Sequence, residues 1–213
     1  QGLAQGLFID SGSNWTVDNY GTIWGEGTKA FNIKRGDNNK IINRSVGEIK
    51  TDGANAILIS GTNSNDGENT IIENYGTLTA DRSTIKVGDY SSGTTITNYS
   101  GATINATRGT DENAAVQIDG DNTTITNEGT ISGAGTQHSI EVGTSAISVT
   151  GTKIYVDGAP TFTGEVDLNI NAAETTMYLG CDMTQDTTIE IHNKPSLNIT
   201  NNLCGNDTYT IQD

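Results

Sequence analysis

The sequence predicts an all-β chain folded as a right-handed parallel β-helix, a solenoid with coils of about 24–31 residues. Three observations predict this fold. The composition is poor in apolar residues, yet Ile, Val and Thr recur at regular positions. One repeated segment is built around Asn and Gly-Thr, and a second places two alternating apolar residues before a glycine.

The composition is unusual for a globular domain. Of the 213 residues, 33% are hydrophobic, 26 are Gly and only 2 are Pro, and the formal net charge is −15. Average soluble domains are about 45–50% apolar when Gly is counted, and chains of low hydrophobicity and high net charge are often disordered. The regular recurrence of Ile, Val and Thr instead favours a folded chain whose narrow core needs few apolar residues per coil.

The first repeated segment reads apolar-x-Asn-x-Gly-Thr-apolar. It occurs at residues 17–23, 72–78 and 125–131, and two longer copies span 41–49 and 96–104. Its asparagines predict a structural column, because stacked Asn side chains at a turn hydrogen-bond to one another and to the backbone. The column comprises Asn19, Asn43, Asn74, Asn98 and Asn127. A second column, on an exposed strand face, comprises Thr22, Glu48, Thr77, Thr103 and Thr130.

The second repeated segment is apolar-x-apolar followed by Gly, and it alternates with the first. Its apolar pairs begin 24, 26, 28, 31 and 24 residues apart. Alternation is the pattern of a strand with one buried face, so equivalent strands of successive coils stack in parallel about 4.8 Å apart. The pairs are Leu7/Ile9, Phe31/Ile33, Ile57/Ile59, Ile85/Val87, Val116/Ile118 and Ile140/Val142.

The regular repeats cover residues 1–144, and residues 145–213 are predicted to continue as less regular coils. Apolar alternation persists there, for example at Ile154/Val156 and Leu168/Ile170, but the Asn-x-Gly-Thr segment is gone. Cys181 and Cys204 lie 23 residues apart, close to one coil, so stacked neighbours would come within disulfide range. We expect a disulfide there, and two buried free thiols are the alternative.

A family resemblance rests on repeats such as Ile-Thr-Asn-Glu-Gly-Thr-Ile-Ser-Gly at residues 125–133. Over most of residues 7–143 the chain resembles passenger domains of Gram-negative (type V) autotransporters, especially AIDA-like adhesins. The resemblance implies export, with anchoring at the cell surface through a C-terminal barrel that this segment lacks, or secretion. It also implies adhesion, aggregation or biofilm formation. Gln1 opens neither a basic nor an apolar region, so any signal peptide is expected to have been removed.

Enzymatic chemistry has weak support in the sequence. Residues 10–13 resemble the Asp-Ser-Gly-Ser of serine proteases, but ten residues cannot supply the upstream His and Asp that would activate Ser11. His138 and His192 fall in different parts of the repeat, so neither a metal site nor a cofactor is expected. Asp119 and Asp121 could act as paired carboxylates or bridge calcium between turns, although a solvated turn is the simpler interpretation.

Two candidate binding features lie in the second coil. Arg35-Gly36-Asp37 is an integrin-type tripeptide predicted to occupy an exposed turn, although the repeat demands Gly36 in any case. Residues 29–50 form a basic band with six basic and two acidic residues, a net charge of +4 on an acidic chain. The band includes Lys34, Lys40 and Arg44. It could bind sulfated glycans or the acidic flank of another copy, or it could be ordinary surface.

A third candidate follows the Asn column. Tyr20, Arg44, Tyr75 and Tyr99 each occupy the position after a column asparagine, so they should stack on the outside of the helix. Exposed Tyr and Arg side chains favour binding patches, but they also stabilise outer strand faces.

These features together predict a cell-surface adhesin that is not an enzyme. The expected partners are another copy, a host glycan or an extracellular-matrix protein. Nucleic acid is not expected because the chain is acidic, and no segment is long and apolar enough to be embedded in a membrane. The alternatives are a polysaccharide-processing β-helix enzyme, which needs clustered carboxylates on one face, and a passive stalk.

Overall fold

The structure is a computed structural model of the chain. It describes residues 6–62, 66–108, 114–134, 138–144, 146–157, 161–163, 166–168, 172–179, 187–192, 197–201 and 209–212. Cys181 and Cys204, the predicted disulfide, lie outside these residues.

The described residues form short strands joined by turns. In chain order the strands are β1 (Leu7–Ile9), β2 (Thr16–Asn19), β3 (Thr22–Gly25), β4 (Phe31–Ile33), β5 (Lys40–Asn43), β6 (Glu48–Thr51), β7 (Ile57–Ile59), β8 (Ile71–Asn74), β9 (Thr77–Ala80), β10 (Ile85–Val87), β11 (Thr95–Asn98), β12 (Thr103–Ala106), β13 (Val116–Ile118), β14 (Thr124–Asn127), β15 (Thr130–Ser132), β16 (Ile140–Val142), β17 (Val149–Thr150), β18 (Lys153–Val156), β19 (Thr161–Thr163), β20 (Val166–Leu168), β21 (Ala172–Ala173), β22 (Thr175–Leu179), β23 (Thr187–His192), β24 (Leu197–Asn201) and β25 (Tyr209–Gln212).

The strands assemble into three long parallel sheets. Sheet 1 has the order β1-β4-β7-β10-β13-β16-β20-β23-β25, sheet 2 the order β2-β5-β8-β11-β14-β18-β22-β24, and sheet 3 the order β3-β6-β9-β12-β15-β19. Each interior strand of these three sheets therefore pairs with its equivalents one coil before and one coil after, which is the arrangement of a parallel β-helix. The predicted fold class is confirmed. The described residues include no helix with the length and apolar character needed to cross a bilayer.

The register agrees with the repeats. In sheet 1, Leu7 pairs with Phe31, Phe31 with Ile57, and so on through each predicted apolar pair to Ile140. In sheet 2 the column asparagines pair in the predicted order from Asn19 to Asn127. Sheet 3 aligns the Thr-rich column from Thr22 to Thr130. These registers place the same residue type at the same corner of successive coils.

Inward side chains fill a narrow core. Sheet 2 alone contributes the buried column Ile41, Ile72, Ile96, Ile125 and Ile154. Each fully buried Ile stabilises the fold by about 1.5–3 kcal/mol relative to exposure. One or two such residues from each sheet are enough to fill the core of each coil. This explains how a chain with 33% hydrophobic residues folds.

The corner between sheets 1 and 2 depends on a column that the repeats did not predict. The residue two positions before the start of each sheet 2 strand from β2 to β18 adopts a left-handed conformation, with φ between 53° and 72°. The column comprises Asn14, Asn38, Asn69, Gly93, Asn122 and Gly151. Asn tolerates this conformation better than most residues because its side chain can hydrogen-bond locally, and Gly tolerates it because it has no Cβ. This explains why Asn and Gly occupy the column.

The same sheets run past residue 144. β20 aligns Val166 with Ile140 and Leu168 with Val142. Ile170 of the predicted pair Leu168/Ile170 lies outside the described residues. In sheet 2, β18 aligns Val156 with Asn127, which ends the Asn column.

Candidate functional site

The corner between sheets 2 and 3 is built on the Asn column. The side-chain amide of each asparagine from Asn19 to Asn98 donates to the Oδ1 atom of the next, at 2.8–2.9 Å. Asn74 also donates to the carbonyl of Thr103 at 3.1 Å, and its Oδ1 accepts from the backbone N–H of Gly76 at 3.2 Å. These bonds fix the turn, so the residue after each asparagine projects outward at an equivalent place.

Those projecting residues form a stacked ladder of Tyr20, Arg44, Tyr75 and Tyr99, which we call the aromatic ladder. The rings of Tyr75 and Tyr99 are nearly parallel, at 7°, with centroids 4.0 Å apart. The Arg44 guanidinium lies 5.5 Å from the centroid of Tyr20 and 6.0 Å from that of Tyr75, which are cation–π distances. The structure thus brings together all four residues that the sequence placed in this column.

Asp18 holds Arg44 in its place in the ladder. Its two carboxylate oxygens accept from Nε and Nη2 of Arg44 at 2.7 and 2.9 Å, a bidentate geometry. The hydrogen bond from Arg44 lowers the pKa of Asp18, and the same bond raises the pKa of Arg44. The ladder cation therefore stays charged at any physiological pH.

Tyr75 and Tyr99 also interact through their hydroxyl groups. A side-chain hydrogen bond with Tyr75, followed by burial, raises the pKa of Tyr99 to about 12. The Tyr99 hydroxyl is therefore neutral at physiological pH and available as a donor and an acceptor.

The N-terminal end of the aromatic ladder is strongly exposed. Tyr20 is 65% exposed, and Val46, in the turn that follows Arg44, is 73% exposed. Gly47 donates to the carbonyl of Arg44 at 2.7 Å and closes this turn, so the two extra residues of the longer repeat carry Val46 outward. An exposed aromatic ring and an exposed aliphatic side chain thus lie at one corner.

The basic band does not form one patch. Residues 29–50 make one coil, so their cations lie on sheets 2 and 3 and at all three corners between the sheets. Most of these cations are also paired with carboxylates. Lys34 and Arg35 contact Asp10 at 3.3 and 2.9 Å, Lys40 contacts Glu73 at 2.7 Å, and Lys50 contacts Glu48 at 2.7 Å.

The Arg35-Gly36-Asp37 tripeptide lies at the turn after β4, as predicted, and neighbouring coils engage both of its ends. Arg35 donates to the carbonyl and carboxylate oxygens of Asp10, and the Asp37 carboxylate accepts from the N–H of Glu68 at 3.1 Å. Gly36 has φ 101°, and a Cβ there would collide with the carbonyl of Gly12. The turn is therefore held in a fixed shape by the coils on both sides.

The two carboxylates of Asp119-Gly120-Asp121 do not converge. Asp119 is only 2% exposed, and its Oδ2 lies 3.0 Å from Nζ of Lys86. Its Oδ1 has no hydrogen-bond partner among the described residues. Asp121 instead accepts from the backbone N–H of Thr150 at 2.8 Å. The solvated turn expected here is wrong for Asp119, because Gly120 packs closely against the Ser91 and Gly88 carbonyls.

The Asp-Ser-Gly-Ser segment at residues 10–13 also makes contacts with the next coil. Asp10 of the Asp-Ser-Gly-Ser segment pairs with Lys34 and Arg35, and Ser13 accepts from the N–H of Asp37 at 2.9 Å. Within the described residues, no group of three or more His, Cys, Asp or Glu side chains is placed to hold a metal ion.

Sequence reasoning missed the pairing of the cations. Each ion pair between coils joins residues about one coil apart, such as Asp18 and Arg44. A count of charge by segment does not detect such pairs. A comparison of each residue with residues one coil away, including those up to two positions from its register partner, would have found them.

We compared the chain with known proteins, and no family model, curated protein or solved structure matches it significantly.

Proposed function

We propose that this chain is a surface-displayed adhesive rod, part of an autotransporter-like passenger, which attaches cells to one another or to host glycan or matrix through the outside of its coils. The observation that carries the proposal is the aromatic ladder, which presents Tyr and Arg side chains on one corner across four coils. Tyr and Arg are enriched among the residues that dominate binding energy at interfaces.

The rigidity of the aromatic ladder supports this role. Immobilising a flexible side chain on binding costs about 0.5–1.5 kcal/mol. Arg44 is already held by Asp18 and by the ring of Tyr20, and Tyr75 by the ring of Tyr99. These side chains are therefore largely ordered in the free protein, so binding loses less side-chain conformational entropy. A rod that presents several such rungs can also bind multivalently, so that weak contacts add up.

The repeat style supports display at the cell surface. It resembles AIDA-like passengers, whose roles are adhesion, aggregation and biofilm formation. A polysaccharide-processing enzyme is less well supported, because Asp119 is buried against Lys86 and Asp121 binds a backbone N–H. A passive stalk is the alternative that the experiment must exclude.

The proposal is tested with beads coated with the domain. Bead clumping reports self-association, and arrays of glycans and matrix proteins at two ionic strengths report other partners. Tyr75→Ser with Tyr99→Ser should weaken whichever binding is seen by more than about tenfold, the loss expected for hot-spot residues.

The chain offers a matched control. Tyr155 and Tyr178 form a similar stacked pair on the outer face of sheet 2, with centroids 4.4 Å apart at 6°. Tyr155→Ser with Tyr178→Ser removes the same groups away from the corner, and binding should be retained. Wild-type beads that neither clump nor bind any ligand would indicate a passive stalk, and equal losses in the two variants would remove the aromatic ladder from the binding site.

A further inference from the structure

The outer face of sheet 3 carries no charge over three successive coils. On β9, β12 and β15 the outward residues alternate with a buried inward column that includes Leu78, Ile104 and Ile131. We call these outward residues the hydroxyl face. They are Thr77, Thr79, Thr103, Asn105, Thr130 and Ser132.

This lack of charge is distinctive on a chain with 26 acidic residues and a net charge of −15. One coil earlier in the same sheet, the outward residues of β6 are Glu48 and Lys50. In sheet 1 the outward residues of β10, β13 and β16 are Lys86, Gln117 and Glu141, two of which are charged. The hydroxyl face is therefore a neutral area on an acidic surface.

Sheet 2 has a smaller neutral area. Its outward residues on β11 and β14 are all Thr, but Glu73 precedes them on β8 and Lys153 follows them on β18. Sheet 1 also has three uncharged outward rows, but each holds a single residue, Phe8, Asn32 or Leu58. Sheet 3, with two outward residues in each of three rows, thus offers the widest uncharged face among the described residues. The corner that carries Tyr75 and Tyr99 adjoins this face, because the turn from each column asparagine leads directly into β9 and β12.

We propose that the partner of this rod is a second copy of the same chain, and that two copies meet through the hydroxyl face. This inference rests on the proposed adhesive function and names its partner. A second copy presents rows of Thr side chains with the same spacing of about 4.8 Å between coils, so hydroxyls and methyl groups can match row by row. Other β-sheets share that spacing, but a second copy also presents the same uncharged residues in successive rows.

Charge selects this face for a contact between copies. Two rods of net charge −15 repel each other, and like charges placed opposite one another disfavour a contact. Through the hydroxyl face, two copies meet without placing carboxylates against carboxylates. Salt should therefore strengthen the association by screening the remaining repulsion, whereas a contact made of ion pairs would be weakened.

The test compares variants with equal charge. Thr79→Glu with Thr130→Glu adds two carboxylates to the hydroxyl face on rows that are not adjacent. Thr16→Glu with Thr124→Glu adds the same charge to sheet 2, in register with Lys40 and Lys153. Far-UV circular dichroism and thermal melting check that both fold. Bead clumping should fall more than about tenfold for the first variant and remain for the second.

A charge swap and a salt series complete the experiment. Beads that carry Thr79→Lys with Thr130→Lys should clump with beads of the Glu variant, because opposite charges then face each other. Wild-type clumping should increase from about 0.01 M to about 0.15 M ionic strength, as the Debye length falls from about 30 to about 8 Å. The salt series needs no variant, so it holds even if a substituted chain fails to fold.

The outcomes separate this inference from the proposed function. Wild-type beads that bind a glycan or matrix protein without clumping would overturn the inference and leave the adhesive function standing. Clumping that survives the Glu substitutions, or that salt weakens, would also overturn the hydroxyl face as the contact. If the beads neither clump nor bind, both proposals fail.

Discussion

Replacing Asn74 with Asp tests the direction of hydrogen bonding along the Asn column. The Nδ2 atom of Asn74 donates to the Oδ1 atom of Asn98 at 2.9 Å and to the carbonyl of Thr103 at 3.1 Å. An aspartate places a carboxylate oxygen at that position, so both contacts become acceptor against acceptor. The other oxygen still accepts from Asn43 and Gly76.

The size of the destabilisation follows from the two hydrogen bonds that Nδ2 of Asn74 no longer donates. A buried polar group left without its partner costs about 1–3 kcal/mol, and more when a charge is involved. Two such contacts around a fully buried side chain predict a loss of at least about 2–6 kcal/mol in the free energy of unfolding at neutral pH.

Asn127→Asp is the matched control from the same column. Asn127 is also buried and accepts from Asn98 at 2.9 Å and from Gly129 at 3.3 Å. Its Nδ2 atom, however, has no hydrogen-bond partner among the described residues, because Val156 stands in register where a further asparagine would accept. Its conversion to an oxygen removes no donor bond, so the loss should be clearly smaller than at Asn74.

Urea unfolding followed by far-UV circular dichroism at pH 7 and at pH 5 measures both variants. In the Asn74→Asp variant the buried new carboxylate faces two acceptors, so its pKa in the folded state should lie above that in the unfolded state. The stability of the variant therefore falls as pH rises from the unfolded-state pKa through the folded-state pKa of this carboxyl. Protonation at lower pH should recover part of the lost stability. Equal unfolding midpoints for the two variants at pH 7 would refute the assigned donor direction.

Three further predictions follow from single contacts. Gly36→Ala should lower the melting temperature, because residue 36 has φ 101° and a Cβ there would collide with the carbonyl of Gly12. An unchanged melting temperature would show that this turn can shift. Tyr75→Phe should lower the pKa of Tyr99 from about 12 toward its ordinary value, as ultraviolet titration of the tyrosinates would show. Lys86→Met should destabilise the fold by up to about 3–5 kcal/mol by leaving the buried Asp119 unpaired, and the added Asp119→Asn change should restore much of that loss.

The inward half of the fold was predictable from the sequence. Alternating apolar pairs and the Asn column recur once per coil, and the register that they imply is observed in sheets 1 and 2. This succeeded because both features are local patterns whose physical requirement is the same in every coil. The aromatic ladder was predictable for the same reason, since its residues follow the Asn column directly.

The contacts among outward side chains were harder to predict, because they depend on which residues of neighbouring coils lie next to each other. Coil lengths vary with the insertions, so Asp18 meets Arg44 across 26 residues while Asp37 meets Glu68 across 31. The left-handed column that includes Asn14 and Asn38 was missed for another reason. Its conformation is shared by Asn and Gly, so the sequence shows no single repeated letter there.

Charge on a solenoid has to be summed by column and not by segment. Residues 29–50 form a cluster of cations in the sequence, but a segment of that length makes one coil, and the structure spreads its cations over all sides beside carboxylates from the same or neighbouring coils. Residues one coil apart, in contrast, lie on one surface however far apart they are in the chain. Summed in this way, the outward positions of β9, β12 and β15 carry no charge on a chain of net charge −15. A contact between two copies through these positions would therefore place no carboxylates opposite one another, whereas the cations of the basic segment do not share one face.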